Sequence, residues 1–119
     1  MVTRLFIYGT LKRGACRSGL LVDQQFVGEA QTRPLYRIYR VDQYPALVHD
    51  QPGVAVEGEL WDLEPECLAE LDQVEAVEDG LYRREAIELE PPWHQGAVQA
   101  YFYLPPVTGL DDCGSCWED

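Results

Sequence analysis

Only one stretch of this 119-residue chain has room for a substantial helix, and its position favours an α+β order over a run of βαβ units. Glu64-Pro65 opens that helix, because proline is favoured at the first helical position and Asp62 or Glu64 sets negative charge near the positive end of the dipole. The apolar spacing carries it to about Val77, where Asp79-Gly80 stops it. The remaining apolar segments are short and extended.

Arg4 to Tyr8 is β-rich and runs into Gly9, which predicts a strand feeding a loop that closes at Gly14. Cys16 to Val22 is read as a brief helix or an irregular connection. Phe26 to Ala30 and Tyr36 to Val41 follow as strands separated by Pro34, and Tyr44-Pro45 marks a turn. Val54 to Trp61 alternates with period two, the pattern of a strand that packs one face inward. Leu81 to Glu90 is extended up to Pro91-Pro92, and Ala97 to Leu104 is the last strand. The expectation is α+β with about six strands and one main helix between the fourth and fifth. Residues 1–106 are expected to form the domain, and residues 107–119 an irregular acidic tail.

A chain of this length buries about two-thirds of its extended surface in one core and needs no disulfide staple. Its longest apolar run, Ala100 to Leu104, falls far short of the ~20 residues that cross a bilayer, and Leu5 to Tyr8 is too short for a signal-peptide core. A cytoplasmic location and no membrane partner are therefore expected. Nine Lys and Arg against 21 Asp and Glu give a formal charge of −12, which repels phosphate backbones and argues against nucleic acid. Seven of the nine bases lie between Met1 and Arg40, so an anionic small ligand would favour the N-terminal part. The sequence leaves the oligomeric state open, with a monomer as the starting expectation.

Cys16, Cys67, Cys113 and Cys116 are read as reduced thiols. Cys113 and Cys116 have CxxC spacing, but they lie among Asp111, Asp112, Glu118 and Asp119, whose charges oppose thiolate formation. His49 and His94 lack partners at metal-ligand spacing, so neither a metal nor a cofactor is expected. Glu57 and Glu59 share one strand face and are read as solvated, and the tyrosines as strand and turn aromatics.

Two features could carry chemistry. The loop Tyr8-Gly9-Thr10-Leu11-Lys12-Arg13-Gly14 has glycines at P-loop spacing but continues with Ala15 and Cys16 in place of Lys and Ser or Thr. What survives is either a tight turn or a loop whose backbone amides bind a small carboxylate. The second feature is Glu75. Turned at ~100° per residue, the helix places Cys67, Leu68, Leu71 and Val74 in one arc, and Glu75 falls inside it, with Glu78 on the same arc if the helix continues. Burial and the negative end of the helix dipole would both raise its pKa towards the range where a carboxyl exchanges protons at neutral pH. The alternative is that Glu75 pairs with an arginine such as Arg83 or Arg84, or that the helix frays early.

Leu5 to Gly14 resembles the N-terminal signature of the γ-glutamylcyclotransferase-like proteins, in particular the γ-glutamylamine cyclotransferase and plant avirulence-induced-gene-like branch. Tyr44 to Leu47, Val56 to Leu60, Leu71 to Glu75, Leu81 to Arg84 and Ala100 to Tyr103 match in the same order. The resemblance implies a mixed fold built around a small β-barrel. It implies an enzyme that closes a γ-glutamyl group to 5-oxoproline and frees the attached amine, its partner a small-molecule γ-glutamyl substrate. Carried over by residue, it implies Glu75 as the general acid/base and Tyr8, Gly9, Thr10 and Leu11 as the substrate pocket, with Tyr103 helping to line it. Such a reaction needs no enzyme nucleophile, metal or cofactor. Two other readings stand beside it: a binding module for γ-glutamyl-type carboxylates without turnover, and a redox or metal accessory acting through the tail cysteines.

Overall fold

Leu5-Phe6-Ile7 is apolar at three successive positions, which a strand can satisfy only if both of its faces are covered. In the computed structural model, which describes residues 2–9, 12–14, 18–75 and 78–117, this run lies in β1 (Thr3–Ile7), the middle strand of a five-stranded sheet. β1 pairs antiparallel with β5 (Glu57–Leu63), from Thr3 opposite Leu63 to Ile7 opposite Glu59. On its other side it runs parallel to β7 (Gln99–Tyr103). β2 (Gln25–Gln31) lies outside β5, and β6 (Tyr82–Ala86) lies outside β7. A second sheet has the order β4 (Tyr44–His49), β3 (Tyr36–Val41), β8 (Asp111–Gly114).

Alternate residues of β1 and β5 enter two separate cores. Phe6, Tyr8 and Leu60 pack with Ile38 and Leu47 of the second sheet and with Trp117. Leu5, Ile7, Trp61 and Leu63 pack on the opposite face with Leu21 and with Cys67, Leu68 and Leu71 of helix α1 (Pro65–Val74). Each fully buried Leu, Ile or Phe contributes about 1.5–3 kcal/mol, so covering both faces makes this strand pair the energetic centre of the fold. Gly58 fits the pair because a side chain there would strike the Ile7 carbonyl and the Phe6 ring.

The α+β class and the single main helix are as expected. The strands in the described residues number eight, and the five-stranded sheet does not close into a barrel: it ends on β2 and β6, and its faces are covered by α1 and by the second sheet. The expected one-sided strand from Val54 begins at Glu57 and buries both Leu60 and Trp61, since both faces are packed; Val54 makes only an isolated bridge to Tyr36. Tyr44-Pro45 is not a turn. The reversal is Asp42-Gln43, with Asp42 at φ 53° and Val41 opposite Tyr44, and Pro45 is accommodated because β4 is an edge strand. The extended segment from Leu81 ends as a strand at Ala86, after which Leu89 makes an isolated bridge to Thr32.

The acidic tail is not wholly irregular, because β8 pairs with β3 and Trp117 is buried in the core between the sheets. One of its acids meets the basic N-terminal third: Arg37 binds Asp112 at 2.9 Å, and also Asp50 at 2.8 Å. Arg4, Arg13 and Arg33 are likewise paired, with Asp62, Glu59 and Glu90, so most of the basic excess expected to draw an anion is neutralised internally. Among the described residues, no helix is long and apolar enough to cross a membrane.

Candidate functional site

Tyr8 follows β1 and is buried, and its hydroxyl donates to the Tyr101 carbonyl at 2.6 Å. Burial holds its phenol well above the ordinary tyrosine range; the neighbouring Tyr82 and Glu75 charges add to this, and a backbone bond with Leu47 opposes it. Gly9 comes next, and a side chain there would run into the ring of Pro45. Pro45 is held in turn, because Tyr82 Oη donates to its carbonyl at 2.6 Å. Strands from both sheets thus meet where the glycine loop begins.

Beyond Gly9 the loop is tied at two points. Lys12 donates from its backbone to the Gly9 carbonyl at 3.1 Å and from Nζ to the Trp117 carbonyl at 2.9 Å. Arg13 donates to Glu59 from its backbone N–H and from Nε, each at 3.1 Å. Glu59 also accepts Trp61 Nε1–H at 3.2 Å, so this carboxylate, expected to be solvated, is buried and engaged on three sides. Glu57, on the same strand, is exposed as expected. Thr10 and Leu11, the other two proposed pocket residues, lie outside the described residues, as does Cys16.

Glu75 is the first residue beyond α1, its N–H donating to the Leu71 carbonyl at 2.9 Å. It is 9% exposed, beside Cys67, Leu68 and Leu71 on the helix face that the sequence projection selects. Val74 departs from that projection and stays exposed, and so does Glu78, because the helix ends at Val74. The charge of Glu75 is among the lesser causes that raise the phenols of Tyr8 and Tyr101, after their burial. Neither alternative arginine is given over to Glu75: Arg84 forms a two-point pair with Asp72, and Arg83 binds Glu85. Tyr103 is half-buried at the end of β7, its ring edge-on to Tyr82 with centroids 5.3 Å apart.

The structure therefore brings Tyr8, Gly9 and Glu75 into one neighbourhood with Tyr82 and Tyr101, and joins Tyr103 to it through Tyr82. The sequence reading passed over Glu59, Asp72 and Arg84 as site-shaping groups. Their local sequence gives no signal of these pairings, because the partners are brought together only by the fold. Cys67 is buried with its thiol pushed up by desolvation, as suits an unreactive core cysteine, and Cys113 and Cys116 are free thiols. Among the described residues, no group of three His, Cys, Asp or Glu side chains is placed to hold a metal ion.

Fold and site together define a small α+β protein in which a glycine loop and a buried carboxylate meet at a cluster of tyrosines. The family described as "Gamma-glutamyl cyclotransferase, AIG2-like" matches residues 5–118, and the chain belongs to it. A Vibrio cholerae relative, provisionally named a gamma-glutamylcyclotransferase, is 37% identical over 110 residues, covering 92% of this chain and 91% of its own. The Escherichia coli gamma-glutamylcyclotransferase family protein YtfP is 32% identical over 108 residues, covering 90% of this chain and 88% of its own. The solution structure of YtfP superposes with a TM-score of 0.71 over 97% of this chain and 95% of that one. A mouse AIG2-like protein shares the fold at a TM-score of 0.73 and 24% identity, over 91% of this chain and 80% of its own.

Proposed function

We propose that the protein is a cyclotransferase that converts a γ-glutamyl amine or γ-glutamyl amino acid to 5-oxoproline and a free amine, with Glu75 as its general acid/base. The observation that carries this reading is the burial of Glu75 at the end of α1, with its charge among the causes that raise the phenol of Tyr8, the residue from which the glycine loop starts. Family membership supports the reaction class.

The substrate supplies both reactants. Its α-amine attacks its own γ-carbonyl carbon, the ring C–N bond forms, and the bond to the departing amine breaks. Before attack the α-ammonium must lose a proton, which the Glu75 carboxylate accepts and then delivers to the departing nitrogen; the attacking nitrogen loses a second proton as the ring closes, and this passes through the same carboxylate to the freed amine, which leaves as its ammonium with Glu75 as it began. In this reading Tyr8, Gly9, Thr10 and Leu11 bind the folded γ-glutamyl chain, and loop backbone amides stabilise the oxygen that becomes negative in the tetrahedral intermediate. Tyr103 lines the pocket beside Tyr82. Holding nitrogen against carbon in a near-attack geometry supplies a large share of the rate, roughly 7 kcal/mol or more in well-oriented intramolecular systems.

The test is direct detection of 5-oxoproline by mass spectrometry after incubation with γ-glutamyl amines, γ-glutamyl amino acids and glutathione. Wild type is expected to release it from at least one class, and a folded Glu75→Gln variant to lose nearly all turnover. Equal release by the variant would remove Glu75 from its role. Binding of the panel without release by wild type would leave a carboxylate-binding module instead.

A further inference from the structure

Three residues before Glu75, on the last turn of α1, Asp72 reaches across to the sheet. Arg84 of β6 donates to it from Nε at 2.8 Å and from Nη2 at 3.1 Å, the two-point geometry that fixes orientation as well as separation. Tyr101 of β7 donates its hydroxyl to the same carboxylate at 2.6 Å. Arg84 is steadied from a third direction by Gln99, which accepts its Nη1–H at 2.8 Å. The phenol of Tyr101 is pushed up by burial and by its bond to Asp72, so it remains a donor throughout the neutral range.

Elsewhere α1 meets the sheet through Cys67, Leu68 and Leu71. Apolar contacts of that kind resist separation but are non-directional, and they define the rotation and slide of a helix only loosely. The Asp72 cluster defines both. It also continues to the glycine loop, because Tyr101, whose hydroxyl binds Asp72, accepts the Tyr8 hydroxyl at its own carbonyl.

We infer that Asp72 is the positioning residue for Glu75: through Arg84 and Tyr101 it sets the end of α1 against the strand that holds Tyr8, and so fixes where the Glu75 carboxylate stands relative to the glycine loop. This inference rests on the cyclotransferase reading of Glu75. A purely structural salt bridge would stabilise the fold without governing turnover, and the two roles separate experimentally.

The experiment compares wild type with Asp72→Asn and Tyr101→Phe, measuring kcat and KM per folded molecule well below the melting temperature, together with amide hydrogen exchange. A misplacement of about 1 Å costs on the order of 10²-fold in rate. Asp72→Asn should therefore lose about that factor in kcat with KM nearly unchanged, and its exchange should quicken at residues 71–75 while β1 and β5 keep their protection. Tyr101→Phe, which leaves the Asp72–Arg84 pair in place, should lose less. An Asp72→Asn protein that keeps kcat within about twofold overturns the inference, as does exchange that quickens uniformly with no loss of kcat per folded molecule. If wild type turns over none of the γ-glutamyl compounds, the functional reading fails by itself. Exchange confined to residues 71–75 in Asp72→Asn would then still uphold the placement of Glu75 by Asp72, and unchanged exchange there would refute it.

Discussion

Arg13 places both its backbone amide and its guanidinium on the carboxylate of Glu59, each bond 3.1 Å long, so a single buried acid on β5 anchors the far side of the glycine loop. The same carboxylate accepts the Trp61 indole N–H. Glu59→Leu would leave these donors without their acceptor, at a cost of about 1–3 kcal/mol for a buried group that loses its partner. The expected result is a lower urea midpoint at unchanged m, with weaker binding of γ-glutamyl ligands. A midpoint equal to that of wild type would show that the loop does not depend on Glu59.

Gly9 is defined by what lies over it. Gly9→Ala drives a methyl group into the Pro45 ring, which sits on a strand and cannot swing aside as the end of a flexible side chain could. Overpacking of this kind costs typically about 1–3 kcal/mol. The double variant Gly9→Ala/Pro45→Ala should recover stability relative to the sum of the two single changes. A double-mutant cycle that adds without coupling would mean that the Gly9 requirement lies elsewhere.

The tyrosines predict the alkaline behaviour. Tyr8, Tyr36 and Tyr101 all have phenols raised from the ordinary value of 10.0, with burial the first cause in each. A pKa raised in the folded state means that the folded protein holds protons the unfolded chain would release. Their stabilisation is complete below about pH 10 and is lost as pH climbs above it. In an ultraviolet titration, at least three of the seven tyrosines should stay protonated after the exposed ones have ionised, then titrate together with loss of tertiary structure. All seven ionising as one class near pH 10 in a folded protein would contradict this.

Trp117 ties the acidic tail to the core, where it is 3% exposed and packed with residues of both sheets. Trp117→Ala should cost about 3–5 kcal/mol, the range for removing a large buried aromatic. Thermal unfolding measures this, and a shift of only a degree or two would show the tail to be a loosely attached appendage.

Local pattern accounts for what was legible in the sequence. Arg4 to Tyr8 announces a strand that feeds a loop, Glu64-Pro65 announces a helix start, and Glu75 stands out because its neighbours on the helix are apolar. The residues that shape the site from a distance left no such mark. Glu59 looks like any acid on an alternating strand until Arg13, 46 residues earlier, is folded onto it. Asp72 looks like a solvated helix residue until β6 and β7 bring up Arg84 and Tyr101. β8 was hidden for a related reason: Asp111 and Asp112 have poor strand propensity, and they are ordered by pairing with β3 and by Arg37, whose position the tail alone does not reveal.

The place of β1 between β5 and β7 bears on how the chain is made. β1 has its two neighbours at residues 57–63 and 99–103, so during synthesis neither edge of Leu5-Phe6-Ile7 can be paired until long after it has emerged. Leu5-Phe6-Ile7 therefore waits unpaired while the segments between it and β5 are synthesised. Contacts this remote in sequence slow folding and leave sticky edges open in the meantime. Centring the native sheet on β1 therefore makes the growing chain, more than the finished protein, the form most in need of protection from aggregation.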